Sequence, residues 1–175
     1  TVYLGLHLDS GELMAVKQLD ANEVSSRELL ALQHEITVLQ QLRHENIVRY
    51  LGTDKHGEVL SIFLEYVPGG SIRQLLERFG ALDEVVIRVY TRQLLLGLEY
   101  LHRNGIAHRD IKGANVLVGN DGTIKLADFG ASKHVRSVTV ATANATGMKG
   151  TPLWMAPEVI REQQLPGGWR CADVW

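Results

Sequence analysis

Eight consecutive residues constrain this chain more than any others: His108-Arg109-Asp110-Ile111-Lys112-Gly113-Ala114-Asn115. They crowd an acid, cations and a carboxamide between two short apolar runs, Ile106-Ala107 and Val116-Leu117-Val118. Apolar runs bounded by turn residues read as short buried strands. The polar residues between them therefore sit on a loop held by rigid elements, where reactive groups are commonly found. Asp128-Phe129-Gly130 follows shortly after. Asp110, Asn115 and Asp128 offer the oxygens a hard cation such as magnesium takes, and Lys112 offers positive charge to a phosphate. Taken one at a time, the same residues have structural explanations as turn caps and strand ends.

Upstream, Val2 to Leu8 and Leu13 to Leu19 read as strands joined by a turn at Asp9-Ser10-Gly11. Lys17 lies in the second, where a lysine is ordinarily an exposed residue on an alternating face. Ser25-Ser26-Arg27-Glu28 has the form of a capping box. Leu29, Leu32, Ile36, Leu39 and Leu42 follow it at helical spacing, with Glu35 at the edge of that stripe. Asn46 to Thr53 and Glu58 to Glu65 read as two more strands around a turn at Lys55-His56-Gly57. Val67-Pro68-Gly69-Gly70 then breaks the pattern and marks the best boundary between two lobes.

Beyond it the chain turns helical. Ser71 to Phe79 is a short helix with Ile72, Leu75 and Leu76 on one face. Asp83 caps a longer helix that ends near Asn104, with Gly105 at the left-handed position. Val86, Tyr90, Leu94, Gly97, Leu98 and Leu101 keep its apolar period. Asn120-Asp121-Gly122 is a strong hairpin turn. From Gly130 to about Pro152 periodicity disappears, and so long a loop is functional or disordered in a compact domain.

Composition sets the outer bounds. The 175 residues suffice for a sizeable core, and 45% hydrophobic with 22% charged residues is ordinary for a soluble globular protein. A net charge of -2 gives no electrostatic reason to expect nucleic acid. No run approaches the length of a membrane span. The single cysteine, Cys171, excludes an intrachain disulfide and fits a reducing compartment.

Taken jointly, the motifs are far more specific than any one of them. Met14-Ala15-Val16-Lys17, then His-Arg-Asp with an Asn five residues after the Asp, then Asp-Phe-Gly, then Ala156-Pro157-Glu158 occur in that order. In this the chain resembles a eukaryotic protein kinase catalytic domain. The resemblance implies an α+β, two-lobed fold, truncated at both ends. Residues 1–66 would be a small β-rich lobe without its Gly-rich loop, and residues 67–175 an incomplete, mainly helical large lobe. It implies ATP and Mg2+ as cofactors. Lys17 would hold the α- and β-phosphates and pair with Glu35, which is favoured over Glu28 for that role. Asp110 would accept or orient the substrate hydroxyl, Lys112 would meet the transferring phosphate, and Asn115 and Asp128 would coordinate magnesium. Val2, Ala15 and Leu117 would enclose the adenine. Leu64 would be the gatekeeper, and Glu65, Tyr66 and Val67 the hinge. Leu39, Tyr50, His108 and Phe129 resemble the stack that links the lobes, with Asp173 bonded to the loop backbone beneath it. His108 is thereby a packing residue rather than a base.

Lys112 and the segment Gly150-Thr151-Pro152-Leu153-Trp154-Met155 are similar to those of serine/threonine-specific kinases. His44-Glu45-Asn46-Ile47-Val48-Arg49-Tyr50-Leu51-Gly52, Glu65-Tyr66-Val67-Pro68-Gly69-Gly70-Ser71 and Trp154-Met155-Ala156-Pro157-Glu158-Val159-Ile160 resemble the mitogen-activated protein kinase kinase kinase class. That class implies a cytoplasmic enzyme acting on a protein substrate, a kinase kinase, with neither nucleic acid nor membrane as partner. The oligomeric state stays open. Arg109 would receive a phosphate from the segment 128–158, with Thr142 or Thr146 as the switch site and Thr151 structural. Two alternatives stand beside this reading: a related upstream serine/threonine kinase, and a catalytically inactive, pseudokinase-like scaffold.

Overall fold

The N-terminal part is an antiparallel four-stranded sheet. Strands β1 (Val2–Leu6), β2 (Leu13–Asp20), β3 (Tyr50–His56) and β4 (Val59–Glu65) lie in the order β1-β2-β4-β3. The structure is a computed structural model, and it describes residues 1–20, 36–37, 39–128, 133–134, 152–161 and 168–175. The capping box at Ser25 and Glu35 itself lie outside these residues. Residues 36–37 and 39–41 are helical, as the apolar period predicts for the end of that helix.

Register decides which side chains share a face. Val2 pairs with Lys17, and Leu4 with Ala15, across β1 and β2; Ala15 then pairs with Leu64, and Lys17 with Ile62, across β2 and β4. Directly opposed residues point to the same side, and so do residues two apart along a strand. Val2, Ala15, Lys17 and Leu64 therefore belong to one face of the sheet.

The reading of Asn46 to Thr53 as one strand is corrected. Strand β3 begins only at Tyr50 and runs on through His56. Ile47 instead forms an isolated parallel bridge with Leu126, supported by hydrogen bonds from Leu126 N to Asn46 O and from Val48 N to Leu126 O, each 2.9 Å. Buried apolar residues at 47 and 48 imitate a strand of the sheet, whereas their backbone pairs with a different part of the chain.

Two helices follow. Helix α1 (Ile72–Phe79) starts from a capping box in which the Ser71 hydroxyl accepts from Gln74 N while the Gln74 side chain accepts from Ser71 N. Ile72 and Leu75 pack on the core, whereas Leu76 is largely exposed. Helix α2 (Glu84–Arg103) has Asp83 at its N-cap position, but the Asp83 side chain makes no capping hydrogen bond. The carboxylate still sits favourably at the positive end of the helix. Asn104 ends α2 and Gly105 follows with a φ of 73°.

Short elements complete the described fold. Strand β5 (Ile106–Ala107) pairs with β8 (Lys133–His134), and β6 (Val116–Val118) pairs with β7 (Ile124–Leu126). The β6–β7 turn has Gly122 at φ 79°, a left-handed conformation that glycine takes without steric cost. A 3-10 turn covers Gly113–Asn115, and α3 (Pro157–Ile160) is a single turn. One buried cluster joins the sheet to the helices, including Leu39, Tyr50 and Ile62 with Leu98, Leu101, Ile106, Val116, Ile124 and Leu126. Burial of each such side chain contributes roughly 1.5–3 kcal/mol. Between the sheet and these helices the chain meets β6: Gly69 N donates to Val118 O, and Val118 N to Gly70 O. A Cβ at residue 69 would lie 2.3 Å from Val118 O, so only glycine permits that approach.

Candidate active site

The loop between β5 and β6 is fastened from below by one carboxylate. Asp173, buried in the structure, accepts from His108 N at 2.8 Å and from Arg109 N at 2.6 Å. His102 Nε2 donates to the same carboxylate at 2.7 Å. Three donors on one buried acceptor group hold the backbone at the start of the loop, where Arg109 takes a left-handed φ of 69°.

His108 is fully buried and faces two different partners. Its Nε2 lies 3.0 Å from Ala127 O, and its Nδ1 lies 3.3 Å from Asp110 N. A carbonyl can only accept and an amide N–H only donate, so these contacts require the neutral tautomer with its proton on Nε2. Burial pushes the His108 pKa below its ordinary value, against the opposing pull of Asp173 and other groups. The imidazole thus ties Asp110 to the segment that precedes Asp128.

Asp110 is held on its other side as well. Lys112 Nζ meets its Oδ2 at 2.6 Å, and Asn115 Nδ2 donates both to Asp110 O at 2.8 Å and to Oδ2 at 2.9 Å. The 3-10 turn explains why the five-residue spacing works: it folds Asn115 back beneath Asp110, with Asn115 N bonded to Lys112 O. With its amide nitrogen so engaged, Asn115 has its carbonyl oxygen as the remaining polar atom of the side chain. Ala127 N donates to Asn115 O, which brings the approach to Asp128 alongside.

Asp128 also has a left-handed φ, 62°, and Lys17 Nζ reaches its Oδ1 at 3.3 Å. The Asp128 side chain is about half exposed, at 51%. A carboxylate and a carboxamide oxygen are the hard donors that magnesium takes, and that ion commonly relies on one or two protein ligands plus substrate phosphates. Among the described residues no three His, Cys, Asp or Glu converge as a metal cage. The donor set present therefore suits a metal that arrives with a phosphorylated substrate.

The other sequence-identified residues are distributed as follows. Ala15 and Leu64 are half-buried and face each other in register, while Val2 is well exposed at the sheet edge. Leu117 is half-buried on β6 and bridges to Ser71. Val67 is buried, and Glu65 ends β4 with its N–H bonded to Arg49 O. The Arg109 guanidinium stacks over the Trp169 ring at 4.0 Å. Burial lowers its pKa, with Asp173 pulling the other way. Glu35, Phe129, Thr142, Thr146 and Thr151 lie outside the described residues.

Three contacts were not anticipated from the sequence. They are the His102–Asp173 bond, the Arg109–Trp169 stack, and the ion pair of Glu65 with Lys125 at 3.0 Å. The kinase resemblance pointed to Asp173 beneath the loop backbone but not to His102, which reads as a last-turn helix residue. Nothing local connects Lys125, one polar residue between Ile124 and Leu126, to a glutamate on another sheet.

A family model and several curated relatives match the chain. The family model described as "Protein kinase domain" matches residues 1–175. Mitogen-activated protein kinase kinase kinase 2 of Arabidopsis thaliana is 56% identical over 181 residues, covering 100% of this chain and 27% of the relative. Mitogen-activated protein kinase kinase kinase ANP1 of the same organism is 58% identical, again over 100% of this chain and 27% of the relative. Mitogen-activated protein kinase kinase kinase A of Dictyostelium discoideum is 51% identical over 100% of this chain and 18% of its own length. The chain spans about a quarter or less of the length of these curated relatives.

Proposed function

The chain belongs to the protein kinase domain family, and from that premise we propose that the protein carrying it is an ATP-dependent serine/threonine kinase of the mitogen-activated protein kinase kinase kinase class. Its substrate is a protein, a kinase kinase, and its place is the cytoplasm. Among the described residues no helix is long and apolar enough to cross a membrane. The lobes divide between Tyr66 and Val67.

The observation that carries the reading is the preset loop: Lys112 and Asn115 both meet the Asp110 carboxylate, at 2.6 and 2.9 Å. In the proposed reaction Asp110 would orient the substrate hydroxyl and take its proton as that oxygen bonds to the γ-phosphorus and the bond from that phosphorus to the β,γ-bridging oxygen breaks, with ADP leaving. Lys112 then turns from Asp110 toward the transferring phosphoryl group, whose equatorial oxygens share its negative charge. Asn115 and Asp128 would hold Mg2+, which supplies charge neutralisation at the phosphates. Lys17, now 3.3 Å from Asp128, would take the α- and β-phosphates and pair with Glu35. Val2, Ala15 and Leu117 would enclose the base, with Leu64 behind it and the backbone of 65–67 beside it. Phosphorylation at Thr142 or Thr146 would bring a dianion to Arg109.

The test is transfer of labelled γ-phosphate by the full-length protein to a catalytically inactive kinase kinase, with Lys17→Met and Asp110→Asn as controls. Transfer by the wild type and its loss in both controls supports the reading. Equal transfer by all three proteins overturns it, and nucleotide binding without transfer assigns the chain to a scaffold instead.

A further inference from the structure

The Lys125 side chain and the Glu65 carboxylate have no part in the reading above, in which Glu65 contributes only its backbone to the hinge. Lys125 Nζ lies 3.0 Å from Glu65 Oε1, with the two side chains only 17% and 25% exposed. The second oxygen of the same carboxylate, Oε2, accepts from Arg49 N at 3.1 Å. Lys125 Nζ also donates to Glu45 O at 2.9 Å. One carboxylate thus joins three segments: the end of β4, the stretch 45–49, and β7.

Two of those segments already form one block. Residues 46–48 hydrogen-bond with β7 through Leu126. The buried Asn46 side chain donates to Gln93 Oε1 on α2 and to Ile124 O, and Gln93 Oε1 accepts from Ile124 N while its Nε2 donates to Gly122 O. Stretch 46–48, β7 and α2 are therefore tied by a satisfied polar network, which resists relative displacement. The end of β4 is outside that network. It reaches the block through Glu65: its backbone N–H to Arg49 O, and its carboxylate to Arg49 N and Lys125.

Three residues after Lys125 the chain reaches Asp128, and Glu65 is itself the first residue of the hinge. We infer that the Glu65–Lys125 pair is a positioning clamp that sets the distance between the adenine-binding hinge and the strand that delivers Asp128 to the phosphates. The two clamping side chains touch neither nucleotide nor metal, since Glu65 meets the base through its backbone alone. It acts by fixing where both ends of one ligand must bind, so loosening it costs nucleotide affinity before it costs chemistry. This inference rests on the kinase reading above.

A double-mutant cycle on the full-length protein tests it, with Glu65→Gln, Lys125→Met and the double variant compared for KM of ATP, kcat and melting temperature. Each single variant is expected to raise KM for ATP about three- to tenfold while kcat changes less, and the double variant is expected to be no worse than the poorer single one. Lys125→Arg, which keeps the charge, is expected to stay near wild type. Unchanged KM in both single variants, effects that multiply in the double, or a Lys125→Arg variant as impaired as Lys125→Met would each overturn the clamp. Should Lys125→Met not fold, Glu65→Gln and Lys125→Arg carry the same comparison. A wild type that fails to bind ATP overturns the kinase reading itself, whereas a wild type that binds while the cycle is additive overturns the clamp alone.

Discussion

The two halves of the site are built on different physical plans. Around Asp110 the polar groups are short-bonded and largely buried: two contacts to its carboxylate below 3 Å, a neutral imidazole on its N–H, and Asp173 beneath. Around Lys17 and Asp128 the contact is longer, 3.3 Å, and Asp128 is half exposed. The first half is preorganised by the protein. The second consists of charges on the face of a sheet and just past a strand end, joined by a longer and more exposed contact. In the proposed function, preorganisation suits the group that would meet a transition state, and adaptability suits groups that would admit and release a nucleotide.

Substitutions can break this contrast. The largest effect is expected from Asp110→Asn, a fall of about 10²–10⁴ in kcat with KM for ATP little changed. A matching rise in KM would mean that Asp110 serves nucleotide binding and that the halves are not separate. Next comes Asp173→Ala. It strands two loop N–H groups and His102 around a buried void, for a loss of about 3–5 kcal/mol in denaturant unfolding, and kcat should fall with it. Lys17→Met should behave oppositely. Its melting temperature stays near wild type, because a partly exposed ion pair contributes little stability, while kcat/KM for ATP drops by about 10².

Smaller effects sharpen the same contrast. His108 has a folded pKa below the ordinary 6.5, so above that pH it is neutral in both folded and unfolded states. As pH falls below 6.5 the unfolded chain takes up a proton that the folded one resists, and stability declines with a slope approaching about 1.4 kcal/mol per pH unit. Urea titrations from pH 7.5 to 5 should find that slope in the wild type and its reduction in His108→Asn; an unchanged slope would remove His108 as its source. Least of all, Ser71→Ala should cost about 1 kcal/mol by loss of the α1 capping box and leave the kinetics untouched.

How much of this was legible beforehand depended on range. The Asp110–Asn115 contact is local, yet the sequence offered Asn115 alone as an Asx-turn, and the 3-10 turn that brings the two together is seen only in the structure. Lys17 and Asp128 were legible only jointly with the other motifs, because a lysine in a strand has a simpler explanation. Apolar strand-like runs gave β2 and β4 to within one residue, while β1 stops at Leu6 rather than Leu8, where the chain enters the turn. Such a run misled at Ile47 and Val48, where burial comes from a parallel bridge to Leu126 that no local pattern announces. Asp83 has the right residue type for a cap without making the bond, since position alone does not orient a side chain. The Glu65–Lys125 pair and the Arg109–Trp169 stack are long-range partnerships of residues that each have an ordinary surface explanation.

The Asp173 anchor has a consequence in time. It lies 65 residues after His108, whose N–H it receives, so on a chain made from its N-terminus the reactive loop emerges well before the carboxylate that sets it. Until then Arg109 has little reason to hold its left-handed backbone, which costs roughly 1–3 kcal/mol. The loop is therefore finished late, after α2 and the β6–β7 hairpin, whose contacts are local and quick to form. Pulsed hydrogen exchange during refolding should find the amides of His108 and Arg109 protected after those of Leu98 and Leu101; protection in the reverse order would refute that sequence of events. On this order a nascent chain would pass through a stage in which its helices are folded and the loop that carries Asp110 is still unset.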